Sequence, residues 1–407
     1  MFSENAVIYD PDRHEALHSE KWSEDRALSA IRQIAADAEA QFSPERYWPA
    51  HSQDTDGGSS EPLTPLYFGA LGVMWALHHL RDAGATSLAR DYSANLERLQ
   101  RDNRLWLGEQ YKSSKGAYLM GDTPCLLMRY ASDPANMATT DELDKLIAAN
   151  IDHPTRELMW GAPGTMLAAL FLYERSGDER WAQWFRLTAR RLWSQLQWSD
   201  EFDCYYWTQD LYGTRATYLD AVHGFVATAS PLIRGRALLE ATDWSAWQDC
   251  IINTISRTAT WQDGRVNWRP WLVPPAGKGD LFLLQFCHGA PGFVICLGGM
   301  PSTALDSLLL AAGETTWAAG PLTKGSNLCH GTGGNGYAFL KLYHRTGESH
   351  WLDRARAFAM HGIAQTEADR SNYGQGRYSL WTGDLGFAIY LWHCVHGTHL
   401  FPTLDVF

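Results

Sequence analysis

The sequence predicts an all-α protein built from seven helical hairpins closed into a ring. A glycine-centred turn recurs seven times, and an amphipathic apolar run follows each copy. The turns lie 40 to 65 residues apart, which leaves room for two helices in each repeat. The leading glycines of the seven turns are Gly69, Gly121, Gly161, Gly224, Gly289, Gly331 and Gly383. The pattern therefore predicts seven inner helices, each entered through a glycine, and seven outer helices.

Two repeats show how a helix is followed by a returning helix. The segment Tyr173–Trp181 reads like Tyr343–Trp351, and each begins 12 residues after its leading glycine. The glycine inside each segment is typical of a helix end, and the acidic residues after it suit the start of the next helix. After Trp351, apolar residues continue at helical spacing to Phe358. Each repeat is thus predicted to be a helix, a turn and an antiparallel helix.

The glycine turns indicate where chemistry is expected. Glycine lets the backbone enter a helix at unusual torsions and pack closely against its neighbours. In a closed ring, the free N–H groups and positive dipoles of the inner helices would all face one end of the barrel. The alternative is an open helical solenoid in which the glycines serve only tight turns.

Short β-hairpins are expected at the rim. An Asp-Gly pair at 263–264 lies between aromatic and β-branched residues in 260–268, which is the strongest short hairpin signal. Residues 205–207 and 378–381 are also predicted to be extended. No linker divides the chain. We therefore expect an N-terminal extension with an outer helix in residues 1–66, joined to a seven-repeat ring in residues 67–407.

The composition limits the classes of partner and location. The chain has 407 residues, 34 Lys and Arg against 46 Asp and Glu, and a net charge of −12, which disfavours nucleic acid and anionic membranes as partners. The sequence contains no apolar run of about eighteen residues, so no membrane span is predicted. The polar, acidic N-terminus lacks the features of a signal peptide, so a cytoplasmic location is expected. Seven cysteines are too few to suggest a disulfide scaffold.

Cysteine and histidine recur at one position of several turns. Cys-His-Gly triplets occupy 287–289 and 329–331, and a His-Gly pair occupies 223–224. In a closed ring these side chains would converge. Thiolates and an imidazole are typical zinc ligands, and three protein ligands leave a fourth position open, as catalytic zinc requires. The residues alone leave open which three would bind. The alternative is buried cysteines beside helix starts, with histidines bonded to backbone.

Four segments resemble motifs of the lanthionine synthetase C family, most closely its LanC-like branch, which is found in eukaryotes and some bacteria. They are ELMWGAPG at 157–164, YLDAVHG at 218–224, FCHGAPG at 286–292 and KGSNLCHGTGGNGYAF at 324–339. The resemblance extends from about Tyr67 to the last residue. It implies an α/α toroid of seven outer and seven inner helices around a central zinc. It also implies an enzyme that adds a thiol to a dehydroamino acid.

The resemblance also implies ligands for one zinc ion per chain. Cys287, Cys329 and His330 match the zinc ligands of the family. His288 falls where the lantibiotic cyclases have a tyrosine, so it is left out of the ligand set.

Three further residues match family positions near the zinc. His223 matches the proposed acid/base histidine, and Glu157 falls where the cyclases have a catalytic-site aspartate. On residue chemistry alone, Glu157 either orients His223, holds a substrate amine or satisfies N–H groups at a helix start. Lys324 matches a lysine that contacts glutathione in the LanC-like branch.

Several positions depart from the cyclase pattern. The cyclases carry an arginine and a tryptophan where this chain has Leu283 and Phe286. Loss of the arginine favours the LanC-like branch. Pro124 and Ala227 replace the second glycine of two turns. The N-terminal arginine that touches glutathione in some relatives cannot be aligned.

The predicted chemistry follows from charge. A free thiol is only slightly ionised at neutral pH, whereas binding to zinc removes its proton. Two cysteine thiolates offset the charge of Zn²⁺, so a third, substrate thiolate stays nucleophilic and attacks the β-carbon of dehydroalanine or dehydrobutyrine. The resulting enolate needs a proton, for which His223 is the candidate acid. Lys324 would neutralise a substrate carboxylate.

The predicted function is zinc-dependent addition of a thiol, glutathione by preference, to dehydroamino acids in a protein or peptide. One alternative is a cyclase that uses a cysteine of the same peptide. Another is a non-catalytic glutathione-binding scaffold with a structural zinc. A carbohydrate-active toroid would suit the 19 tryptophans, but it should carry paired carboxylates at the barrel mouth, and no such pair is identified.

Overall fold

The computed structural model describes residues 7–55, 62–275, 277 and 281–407. Parts of the predicted N-terminal region, residues 1–6 and 56–61, lie outside the described residues. Within the described ranges the chain forms fourteen α-helices and three two-stranded antiparallel hairpins.

The even-numbered helices form the inner layer. They are α2 (Ala70–Asp82), α4 (Thr123–Ser132), α6 (Ala162–Ser176), α8 (Phe225–Arg234), α10 (Ala290–Leu297), α12 (Thr332–Thr346) and α14 (Asp384–His396). These helices are apolar around most of their circumference, as expected for helices covered on all sides. In α6, for example, every residue from Ala162 to Leu172 is buried.

The odd-numbered helices form the outer layer. They are α1 (Glu24–Gln41), α3 (Leu96–Leu107), α5 (Met137–Asn150), α7 (Glu179–Ser194), α9 (Ala241–Thr258), α11 (Asp306–Ala319) and α13 (Ser349–Tyr373). Several of them are amphipathic. In α7, Trp181, Phe185, Ala189 and Leu192 form one buried face, while the opposite face is open to solvent.

Contacts between the inner helices close the ring. Each inner helix packs against the next one along the chain, and α14 packs against α2, while α1 covers α14. This closure confirms the predicted all-α double ring of seven inner and seven outer helices and excludes the open solenoid.

The glycine turns stack around one end of the ring. Six leading glycines immediately precede an inner helix, and Gly121 lies two residues before α4. The second glycine of a turn is required by close approach. A Cβ at Gly292 would lie 2.0 Å from the carbonyl oxygen of Phe286, and one at Gly334 would lie 1.9 Å from that of Leu328.

Backbone hydrogen bonds join neighbouring turns. The N–H of Leu158 donates to the carbonyl of Val222, and that of Leu119 to the carbonyl of Met159. Bonds of the same kind join the further turns that contain Tyr67, Trp381, Cys329 and Cys287. These bonds join all seven turns into one series, a collar at the N-terminal ends of the inner helices, and the side-chain contact of Asp220 with His288 joins its two ends.

The hairpins are β1–β2 (Gln197–Ser199 and Cys204–Tyr206), β3–β4 (Gln209–Leu211 and Thr214–Ala216) and β5–β6 (Thr260–Gln262 and Arg265–Asn267). The predicted hairpin at 260–268 is confirmed: Asp263 and Gly264 have φ values of 50° and 76°, as a type I′ turn requires. The prediction of an extended segment at 378–381 is wrong, because these residues form the turn before α14. The β3–β4 hairpin was not predicted.

The last residues return into the space enclosed by the inner helices. Phe401 is fully buried against Tyr337, and Phe407 packs against rings from the α2, α4 and α6 repeats. Among the residues that the structure describes, no helix combines the length and apolar composition that crossing a bilayer requires.

Candidate metal centre and acid/base site

Two neighbouring turns bring Cys287, Cys329 and His330 together. One ligand atom from each residue lies within 4.8 Å of the other two. The two cysteines are buried, and His330 is partly exposed. The N–H of Cys287 donates to the carbonyl of Cys329 at 3.0 Å, so the collar itself sets the spacing of the two thiols.

The donor set fits zinc. Zn–S distances of about 2.3 Å in a tetrahedral site place ligand atoms roughly 3.5–4 Å apart, within the observed spread. Contact with the Cys329 thiol, together with burial, raises the pKa of Cys287. Two buried thiols this close cannot both ionise without a neighbouring cation, and a divalent metal would supply that charge.

Two hydrogen-bond donors reach the cysteine sulfurs. The hydroxyl of Tyr67 donates to Cys329 Sγ at 2.8 Å, and the amide of Gln285 donates to Cys287 Sγ at 3.0 Å. Such donors stabilise negative charge on sulfur and hold a ligand in its orientation. Sequence reasoning missed both residues, since neither belongs to a ligand pattern.

A buried acid holds His223. Glu157 is fully buried, and its Oε2 lies 3.0 Å from Nδ1 of His223. The same carboxylate accepts the N–H groups of Met159 and Trp160 at 2.8 and 2.6 Å. Glu157 therefore accepts N–H groups of the turn before α6, not of the helix itself, and it also contacts His223.

The charge of Glu157 determines how His223 titrates. Burial opposes protonation of the imidazole, but the hydrogen bond and charge of Glu157, with the charge of Asp220, raise the pKa of His223 above its ordinary value. This geometry favours the imidazolium form of His223, with Nδ1 bonded to the carboxylate and Nε2 on the other side of the ring.

A second acid–histidine pair lies at the next junction of the ring. Asp220 is fully buried, and its Oδ2 lies 2.8 Å from Nδ1 of His288. The His288 ring centroid is 6.4 Å from that of His223. Asp220 also accepts the backbone N–H of His223 at 2.6 Å. Sequence analysis assigned His288 no role, and no sequence motif connects it with Asp220.

Lys324 lies on the segment that leads into the centre. Its side chain is exposed and lines a cleft with Arg370 and Arg377. Asn327 ties this segment to the site, because its Nδ2 donates to the carbonyl of Lys324 and its Oδ1 accepts the N–H of His330.

An N-terminal arginine also reaches the collar. Arg13 Nη2 donates to Gln285 Oε1 at 3.5 Å, and Gln285 in turn contacts Cys287. The segment that precedes Arg13 is held by Asn267, whose amide donates to the carbonyl of Ile8. Arg13 belongs to none of the motifs found in the sequence.

Aromatic rings stand beside the His223 turn. The indole N–H of Trp160 donates to the Tyr212 hydroxyl at 3.0 Å, and Tyr111 stacks on Trp160 at 5.0 Å between centroids. Tyr212 is 61% exposed and holds a positive φ of 54° at the tip of β3–β4. This conformation is unusual for a bulky residue.

The fold and this donor set define an α/α toroid whose collar of turns carries a Cys-Cys-His cluster beside a buried acid–histidine pair. The chain belongs to the lanthionine synthetase C-like family, whose model matches residues 16–406.

Relatives and a solved structure agree with this assignment. The chain is 39% identical over 93 residues to glutathione S-transferase LANCL1 of Danio rerio, covering 21% of this chain and 22% of that protein. It is 39% identical over 82 residues to LanC-like protein GCL1 of Arabidopsis thaliana, covering 19% of each. The matches thus span about a fifth of these relatives. Nisin cyclase has the same fold, with a TM-score of 0.60 and 14% identity, over 92% of this chain and 95% of the cyclase.

Proposed function

We propose that the protein forms thioethers by adding the thiol of glutathione to dehydroalanine or dehydrobutyrine residues of a peptide or protein. The observation that carries this proposal is the meeting of Cys287, Cys329 and His330 near the Glu157–His223 pair. A metal-ligand set and a positioned acid are the two components that such an addition needs.

One zinc ion per chain is the metal that these three residues would hold. When bound, zinc supplies the positive charge that ionises a thiol at neutral pH. Tyr67 and Gln285 donate to the cysteine sulfurs and so keep both ligands oriented. The metal-free protein is expected to have no means of ionising the substrate thiol.

His223 delivers the proton that completes the addition. Attack of sulfur on the β-carbon forms the C–S bond and moves the double-bond electrons towards the neighbouring carbonyl. Protonation of the α-carbon by the imidazolium of His223 then gives the saturated thioether. Glu157 holds Nδ1 and so directs Nε2 to the acceptor. The substrate thiol supplies the proton that restores His223, so atoms and charge balance over the cycle.

Cations near the collar support glutathione as the thiol. Lys324 lies on the segment that leads to Cys329, Arg13 contacts Gln285, which donates to Cys287 Sγ, and the tripeptide carries two carboxylates. Leu283 and Phe286 replace the cyclase arginine and tryptophan. The Danio rerio relative, which matches about a fifth of the chain, is named a glutathione S-transferase, and this name also supports glutathione as the thiol.

A peptide cyclase is the second candidate. The whole-chain similarity of fold to nisin cyclase favours it, because the same collar could accept a cysteine of the dehydrated peptide. For both candidates the acceptor is a dehydrated peptide or protein, and a cytoplasmic location stays a prediction.

One assay distinguishes the two candidates. Zinc-loaded protein is incubated with glutathione and a dehydroalanine peptide, and with a dehydrated peptide that contains its own cysteine. We expect the first peptide to gain the mass of one glutathione. Ring closure in the second peptide with no glutathione adduct in the first would establish the cyclase instead. His223→Ala should abolish the addition, while His78→Ala, a partly buried histidine paired with Asp91, should not. Absence of both products would contradict thioether formation.

A further inference from the structure

We propose that residues Phe401–Phe407 form a plug inside the ring that positions the two metal-binding turns, with Phe401 as the positioning residue. The inference rests on the metal site proposed above. It assigns a role to a segment that lies outside every motif of the sequence.

Phe401 touches both turns from inside the ring. Its ring stacks on Phe286 at 4.7 Å between centroids and 17° between planes, and Phe286 directly precedes Cys287. It also packs against Trp381 at 5.5 Å. The carbonyl of Trp381 accepts the N–H of Cys329 at 2.9 Å. The buried ring of Phe401 therefore packs against residues that hold the backbone of both cysteines.

Asp405 anchors the plug to the helix that follows His330. Asp405 Oδ2 accepts the N–H of Phe401 and the ammonium group of Lys341, each at 2.6 Å. Lys341 is only 6% exposed and lies on α12. Arg234 donates to the carbonyl of Asp405. The charge pair thus fixes Phe401 relative to the helix that follows His330.

The conformation of the plug is imposed by its surroundings. Thr403 has a φ of 59°, which is an outlier for a β-branched residue. It is fully buried, and its carbonyl accepts the hydroxyl of the buried Tyr118 at 2.7 Å. Such strain persists only where neighbouring contacts hold it, and it is concentrated at functional sites.

Metal affinity is the quantity that this support should change. Ligands held at the right separation bind a metal without first being ordered. Residues that orient metal ligands from outside typically contribute about 10- to 100-fold in affinity. Removing the Phe401 ring leaves a gap beneath Phe286 and Trp381 and lets the two turns move apart.

The test compares substitutions within the plug. Zinc affinity is measured by competition with a chromophoric chelator, and thermal unfolding is followed for the metal-free proteins. Phe401→Ala should weaken zinc binding about 10- to 100-fold, and Phe401→Leu should restore most of it. Asp405→Asn, which keeps the volume of the side chain, should weaken binding in the same direction. Phe407→Ala is the matched control, because Phe407 packs on Trp75 and Phe171 and should lower only the unfolding temperature.

Unchanged zinc affinity in Phe401→Ala and Asp405→Asn would overturn the role of the plug but not the proposed metal site. An equal loss of affinity in Phe407→Ala would overturn it as well, since the effect would then follow stability rather than position. A wild-type protein that takes up no zinc would overturn the metal site and the inference together.

Discussion

Replacing Glu157 by glutamine tests the role of the acid–histidine pair. The wild-type carboxylate is fully buried, lies 3.0 Å from His223 Nδ1 and accepts two backbone N–H groups. Glutamine has nearly the same shape but carries no charge. The change therefore removes the ionic part of the interaction while it leaves a side chain of similar volume in the site.

The magnitude follows from the hydrogen bond that is lost. A hydrogen bond to a charged group contributes about 1.5–3 kcal/mol. Losing this stabilisation of the imidazolium should lower the pKa of His223, and about 1.4 kcal/mol corresponds to a tenfold change in the protonated fraction above that pKa. Glu157 raises this pKa in the wild type, so the imidazolium persists to higher pH there. Above the wild-type pKa, the rate should fall about 10- to 100-fold in Glu157→Gln.

The assay is the pH profile of glutathione addition to a dehydroalanine peptide with zinc-loaded protein. The falling limb of kcat/KM at high pH should move to lower pH in Glu157→Gln, because the charge that raises the pKa of His223 is removed. Glu314→Gln is the matched control, because Glu314 pairs with Arg354 on the outer layer. A falling limb that stays in place, with a folded protein shown by thermal unfolding, would refute the assignment of His223 as the acid held by Glu157.

Three further predictions concern the metal, the thiol substrate and the collar. Cys329→Ala should lower bound zinc from about one per chain to near zero by metal analysis, and retention of the metal would exclude this ligand. Lys324→Ala should raise the KM for glutathione about 2- to 5-fold with kcat unchanged, as the loss of an exposed charge pair would; an unchanged KM would remove Lys324 from the substrate site. Gly289→Ala should cost about 3 kcal/mol in urea unfolding, because φ is 114° and the new Cβ would meet Leu283 O at 2.0 Å. Gly347→Ala, at φ 75° with no described atom within 4 Å, should cost only about 1 kcal/mol, and equal costs would contradict the packing argument.

The sequence predicts the ring well because its signals are local. Each leading glycine marks the start of an inner helix, since the turn needs close backbone approach, and this requirement is visible in a single segment. The Cys-His-Gly triplets occupy equivalent positions of neighbouring repeats, so closure of the ring brings Cys287 and Cys329 together. A motif that recurs at the same position of neighbouring repeats therefore predicts which side chains lie close together in the fold.

Contacts between residues that have no repeated motif could not be predicted from the sequence. The Asp220–His288 pair and the bond from Tyr67 to Cys329 join residues of different repeats, and neither has a motif of its own. Arg13 has no motif of its own, and the N-terminal segment that carries it is held by contacts with the folded ring. The position of Phe401 likewise depends on the assembled interior.

The most direct test of the central claim is zinc K-edge X-ray absorption of the zinc-loaded protein before and after glutathione is added. Cys287, Cys329 and His330 predict two sulfur ligands at about 2.3 Å and one nitrogen at about 2.0–2.1 Å. Glutathione should raise the sulfur count to three. A sulfur count that does not change on addition of glutathione, or a fourth protein ligand already present, would contradict a site built to ionise an incoming thiol.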